Sequence, residues 1–157
     1  MSKKRNKMKA EIGDVFAISL DKFSYGYGQV VGEGNPRTYI IFDLISNNHP
    51  EINNILSSPI AFIANTVDVP IEDGDWIVIG NMPIPKELHL PFYKMNTQEG
   101  YYLTSSSGEM IRLATPEEIE ILENRKSISP SILEDAIKAK YGFGEWYQYL
   151  DNLIYKG

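Results

Sequence analysis

Residues 14–20 divide with a period of two, placing the large apolar Phe16, Ile18 and Leu20 on one face and the smaller Val15, Ala17 and Ser19 on the other. That period predicts a half-buried strand. Residues 25–31 return, with Tyr25, Tyr27 and Gln29 on one face and Gly26 and Gly28 between them. Glycines at alternate strand positions let another backbone or a large side chain approach closely. After the turn residues Gly32, Gly34, Asn35 and Pro36, residues 38–45 are apolar on both faces, as in a central strand. Three consecutive strands with short turns predict an antiparallel meander, the start of a small barrel or curled sheet. Residues 46–58 are polar with a weak helical stripe of Ile52, Ile55 and Leu56, and further strands are expected at 59–67 and 75–79. Pro83, Pro85 and Pro91 make residues 82–91 an extended crossing segment that is barred from a central strand position. Residues 101–104 and 110–113 form a predicted hairpin.

After Leu113 the period changes to that of a helix. Thr115, Pro116 and Glu118 are placed as a capping box, which predicts a helix running to about Asn124. Ser129 and Pro130 repeat the device, and Leu133, Ile137 and Tyr141 line one face before Gly142. A third helix, from Glu145 to Tyr155, places Trp146, Leu150, Leu153 and Ile154 on one stripe. Each helix has one apolar face to bury, so all three are expected to dock on the sheet. The fold class predicted is α+β: a mostly antiparallel curled sheet or small partly open barrel over 10–113, followed by C-terminal helices over 114–157 packed on it. Residues 1–9 read as a basic flexible arm on a single domain spanning 10–157.

Length agrees with that division, since 157 residues bury one core comfortably and are short for two. The chain has no cysteine, which excludes disulfides, thiolate metal sites and thiol nucleophiles. Lys3, Lys4, Arg5, Lys7 and Lys9 resemble the start of a signal peptide, but Glu11, Gly13 and Asp14 stand where its apolar run would be required. No run approaches the roughly 18 apolar residues of a membrane helix. A cytoplasmic protein without membrane attachment is expected.

Charge changes the picture more than composition does. The net charge is -6, yet residues 1–9 carry five cations and no acid, whereas residues 10–113 carry five cations against thirteen acids. A nucleic-acid binder needs a basic face to exchange for counterions, and here only the arm supplies one. From Thr38 to Pro85, 48 residues, there is no Lys or Arg, but there are six carboxylates: Asp43, Glu51, Asp68, Glu72, Asp73 and Asp75. Like charges gathered in this way are solvated or matched by an outside cation. The turn with Glu72, Asp73 and Asp75 leads into Trp76 and the apolar run 77–79, so Trp76 is read as a core residue and the carboxylates as candidate partner contacts. Tyr25 and Tyr27 join them as candidates, since tyrosine gives large contact area at low entropic cost.

Catalytic chemistry finds little support. His49 and His89 are the only histidines, and neither has a carboxylate or second histidine at a ligand-like spacing. No nucleophile elbow, phosphate-binding loop or zinc-protease motif occurs. Glu72, Asp73 and Asp75 offer oxygen ligands for Ca²⁺, but their spacing does not match the twelve-residue calcium loop. No enzyme activity, metal or cofactor is expected. The alternative classes are a small-barrel nucleic-acid or regulatory module stacking bases on Tyr25 and Tyr27, against which the acid excess argues, and an unfamiliar enzyme using Asp73 and Asp75.

The order of these motifs resembles the immunity protein 26 family of bacterial polymorphic toxin systems: residues 13–20, then Tyr25, Gly26, Tyr27, Gly28, Gln29 and Val30, then Gly74, Asp75 and Trp76, then Ile79, Gly80 and a proline-rich segment. The resemblance covers residues 10–115. The chain departs from the family pattern at Ser19, where a proline is common, and at Ser24, where an Asp-Gly turn is. The resemblance implies a non-enzymatic protein that binds and neutralises a cognate protein toxin. An acidic body steers toward basic toxins such as nucleases. Neither the toxin nor an interface carries over residue by residue.

Overall fold

A computed structural model describes residues 9–157. It is an α+β fold built on antiparallel sheets. Strands β1 (Asp14–Ser19), β2 (Tyr25–Gly32), β3 (Arg37–Ser46), β4 (Ile60–Thr66) and β5 (Trp76–Asn81) form a five-stranded sheet in the order β4-β3-β2-β1-β5. Strands β6 (Tyr93–Thr97), β7 (Gly100–Thr104) and β8 (Met110–Leu113) form a second, three-stranded sheet. The connections carry two short helices, α1 (Ile52–Leu56) and α2 (Val69–Glu72). The C-terminal part holds α3 (Pro116–Ile121), α4 (Pro130–Lys140) and a 3₁₀ helix (Gln148–Leu153). Most of the basic arm, residues 1–8, lies outside the described residues.

The large sheet is buried on both faces, so β1 is more than the half-buried strand that its period predicts. Phe16 and Ile18 enter a core shared with Tyr39, Trp76, Leu133 and Ile137, while Val15 and Ala17 enter a second core with Tyr27, Phe42 and Ile55. Helix α4 and the 3₁₀ helix seal the first face; α1 and the proline-rich crossing segment cover the other. The side-chain amide of Gln29, fully buried in β2, donates to the Met82 carbonyl at 2.9 Å and so fixes where that crossing segment begins. The paired glycines of β2 explain how close these layers come. A Cβ on Gly26 would lie 2.2 Å from Ile137 Cδ1, and one on Gly28 would lie 2.5 Å from the Phe16 ring.

Trp76 is the largest fully buried side chain. It stacks on Phe16 at 4.9 Å with 5° between the ring planes, and meets Tyr39 edge-on at 5.9 Å. Its indole N–H donates to Glu134 Oε1 on α4 at 2.6 Å, so the polar edge of the ring is satisfied where the helix lands on the sheet.

Other expectations need correction. The capping box at Thr115 is present, with Thr115 accepting from the Glu118 N–H and Glu118 accepting from the Thr115 N–H. Yet α3 stops at Ile121, short of Asn124, and buries none of its residues. Its successors are diverted: the Lys94 N–H donates to the Glu123 carbonyl at 3.0 Å, and the Arg125 N–H to the Lys94 carbonyl at 2.9 Å, laying residues 123–125 along β6. Strand β6 itself was not foreseen, because residues 93–97 mix Lys94, Asn96 and Thr97 with few apolar positions. Ser129 does not cap α4; its hydroxyl meets Ser131 instead. The third helix contracts to six 3₁₀ residues that bury Leu150 and Leu153, and leaves Trp146 outside. At the β4 edge of the sheet, Ile128 and Ile154 form isolated bridges with Thr66 and Phe62.

Two predictions follow from this packing. Trp76→Ala should lower unfolding free energy by about 3–5 kcal/mol in a denaturant titration, as loss of a buried aromatic does, while Trp76→Phe should cost clearly less. Arg112 forms a forked pair with Glu118, at 2.7 and 2.9 Å, and together with the Thr115 N–H it holds that carboxyl down at about 2. Because the folded value lies below the ordinary one, the stabilisation is complete above the usual glutamate range and fades as pH falls toward 2. An NMR titration of Glu118 that gave an ordinary midpoint would show the pair to be open in solution.

Candidate partner-binding surface

The cation-free segment divides into carboxylates that the fold uses and carboxylates that it leaves outward. Asp68 forms an ion pair with Arg37 Nε at 3.0 Å, and the Tyr39 hydroxyl donates to its other oxygen. Asp43 accepts from the Tyr141 hydroxyl and pairs with Lys140 Nζ at 3.6 Å. Burial, and then the adjacent carboxylate, push both phenols well above their ordinary value, so they remain donors. The segment is therefore less unbalanced than its composition indicates, because a cation just before it in sequence reaches Asp68 and one on α4 reaches Asp43.

The acidic turn is held at both ends by core residues. Ile71 in α2 and Trp76 at the start of β5 are buried, and between them Glu72 is half-buried while Asp73 and Asp75 are exposed. Their neighbours include exposed aliphatic side chains: Val67, Val69 and Ile77 are 38%, 49% and 53% accessible. Val67, Val69 and Glu72 also line a hollow of about 360 Å³ against Gly34, Asn35 and Arg37. Among the described residues, no three of His, Asp and Glu converge as a metal-binding group.

The two candidate tyrosines belong elsewhere. Tyr27 is fully buried; its hydroxyl lies 2.9 Å from His49 Nδ1, and burial pushes the phenol upward. Tyr25, half-buried, meets the His49 ring edge-on at 4.7 Å. Both pack in the core that contains Ala17 and Phe42, whereas Ile71 and Trp76 pack in the other. The structure thus separates the tyrosines from the acidic turn, and Tyr27 offers no free face. His49, in the loop after β3, is the lid over this aromatic pair.

Part of the third helical stripe is open: Ile154 is 42% exposed, and Ile121, at the end of α3, is 75% exposed. With Leu90 and Phe92 of the crossing segment they line a second hollow, of about 370 Å³. The available signal is Leu88, Leu90 and Phe92 in a stretch broken by Pro85 and Pro91, where the chain packs Leu88 on the core and leaves Leu90 and Phe92 open. No helix of the described residues is long and apolar enough to cross a membrane.

A family model described as Immunity protein 26 matches residues 11–106, more than half of the chain. No curated protein and no solved structure gives a significant match.

Since Tyr27 is bound within the fold, Tyr27→Phe should cost about 1 kcal/mol of stability through loss of one hydrogen bond and leave the outer surface unchanged. Thermal unfolding beside an NMR shift map checks this; shifts reaching Glu72 or Asp75 would show that the two sites are coupled.

Proposed function

The chain belongs to the immunity protein 26 family, and from that premise we propose that it binds a cognate bacterial toxin in the cytoplasm and neutralises it by occlusion, without catalysis of its own. The observation that carries the placement of the contact is the mixed surface around the acidic turn. Exposed carboxylates alone bring no stability to a fold, and exposed valine and isoleucine among them bring none either. Together they match a partner face that presents lysine and arginine, whose long aliphatic stems pack on apolar side chains while their heads meet carboxylates.

A basic toxin such as a nuclease fits this description. Glu72, Asp73 and Asp75 attract it over a distance, and Val67, Val69 and Ile77 provide the dry contact. Steered association of this type reaches about 10⁸–10⁹ M⁻¹s⁻¹ at low salt, against roughly 10⁵–10⁶ for an uncharged patch. A standard interface of about 1,600 Å² covers an active site without any rearrangement of the inhibitor.

Co-expression with the toxin encoded beside this gene tests the reading. Glu72→Lys, Asp73→Lys and Asp75→Lys combined should leave the protein folded, lower the association rate by about tenfold or more at low salt, and weaken protection. Full protection by the folded triple variant, with an unchanged rate and unchanged salt dependence, would remove this segment from the interface.

A further inference from the structure

Residues 143–149 run from the connection after α4 into the first two residues of the 3₁₀ helix, and every one of them is exposed. Four of the seven are aromatic: Phe143, Trp146, Tyr147 and Tyr149 are 37%, 40%, 53% and 51% accessible. The rings are nevertheless held in place. Tyr147 and Tyr149 stack at 5.9 Å with 5° between their planes, and Trp146 stacks on Phe62 at 5.9 Å. The Trp146 indole N–H donates to Asp151 Oδ1 at 2.8 Å, and the Tyr147 hydroxyl donates to Glu145 Oε2 at 3.1 Å. From Tyr141 to Tyr155 the sequence contains these two carboxylates and no Lys or Arg.

Trp146 covers the core ring of Phe62, but folding gives no reason for the open pair Tyr147 and Tyr149 beside it. The neighbouring Leu150 and Leu153 already seal the core, and the open aromatic area is left in water. Preorganised Trp and Tyr side chains are what binding hot spots are made of, because their large area is immobilised before the partner arrives. The charge then selects the partner. Ring faces beside carboxylates attract ammonium and guanidinium groups through both the π-system and the full charge. Nucleic acid also stacks on aromatic rings, but its phosphates would meet Glu145 and Asp151. A second copy would bring the same acidic ledge against itself.

We propose that this aromatic ledge is a docking surface for a basic protein face, seating lysine or arginine side chains over Trp146, Tyr147 and Tyr149 beside Glu145 and Asp151. The inference rests on the toxin-binding reading for the partner's identity, and adds a second contact beyond residues 11–106, the part that the family model matches.

The test has two arms. In the first, the purified toxin encoded beside this gene is titrated against wild-type protein, Tyr147→Ala/Tyr149→Ala and Tyr147→Phe/Tyr149→Phe. The alanine pair should keep the wild-type melting temperature and raise Kd by about 30-fold, chiefly through a faster off-rate, while the phenylalanine pair stays within about threefold. An alanine pair that binds within about twofold of wild type overturns the proposal. In the second arm, a deca-arginine peptide is added at low salt and the two indole N–H NMR signals are followed. The Trp146 signal should shift saturably while that of buried Trp76 does not, and the alanine pair should weaken the response. No shift at Trp146, or a larger one with a single-stranded oligonucleotide, overturns the ledge as a basic-protein site. If the wild type fails to bind the toxin while the peptide response is present, the toxin reading falls and the ledge stands.

Discussion

Trp76 lying flat on Phe16 is the contact on which the rest of the arrangement depends. The stack joins β5 to β1, Tyr39 extends it to β3, and the indole hydrogen bond to Glu134 draws α4 onto the same spot. One side chain thereby couples three strands and a helix that are far apart in sequence. The acidic turn immediately before it inherits this rigidity. With Ile71 buried on one side and Trp76 on the other, Glu72, Asp73 and Asp75 are carried by a short loop with fixed ends. Preorganised charge costs less to bring into a contact than charge on a mobile tail.

Much of this arrangement was legible in the chain because its causes are local. The alternation in residues 14–20, the double-sided run 38–45, the glycines at 26 and 28 and the capping box at Thr115 each point to a local structure through sterics or hydrogen bonding. What escaped depends on distant partners. Nothing in residues 14–20 tells that a crossing segment held by Gln29 will cover the second face, so a strand that alternates in pattern becomes buried on both sides. Strand β6 forms because β7 and residues 123–125 offer backbone groups to it, not because its own side chains prefer a sheet. Helical stripes mislead for a related reason. Leu133 and Ile137 find a sheet below them, whereas Trp146 and Ile154 fall outside a short 3₁₀ helix that turns only Leu150 and Leu153 inward.

The candidate site shows the same limits. A count of cations and carboxylates along the segment 38–85 sees neither Arg37, one residue before its start, nor Lys140, about a hundred residues on, yet these pair with Asp68 and Asp43. Linear charge patterning overstates the field wherever the fold returns a counterion. Of the two tyrosines, Tyr27 illustrates the reverse error: an aromatic on a strand face was read as available, and the structure closes it with His49.

The two surfaces considered for partner binding differ in physics, and the difference assigns them different work. Carboxylates on an exposed turn act over about a Debye length, roughly 8 Å at physiological salt, and so influence mainly how often a basic partner arrives in the right orientation. Stacked aromatic rings act only in contact, where desolvated area and cation–π attraction decide how long the partner stays. Under the proposed toxin-binding function the second property matters more than the first, because inhibition lasts only as long as the contact does. The turn lies within the region matched by the family model and the ledge beyond it. Under the proposal, attraction to a basic partner is therefore placed in the matched region and persistence on that partner in the C-terminal segment.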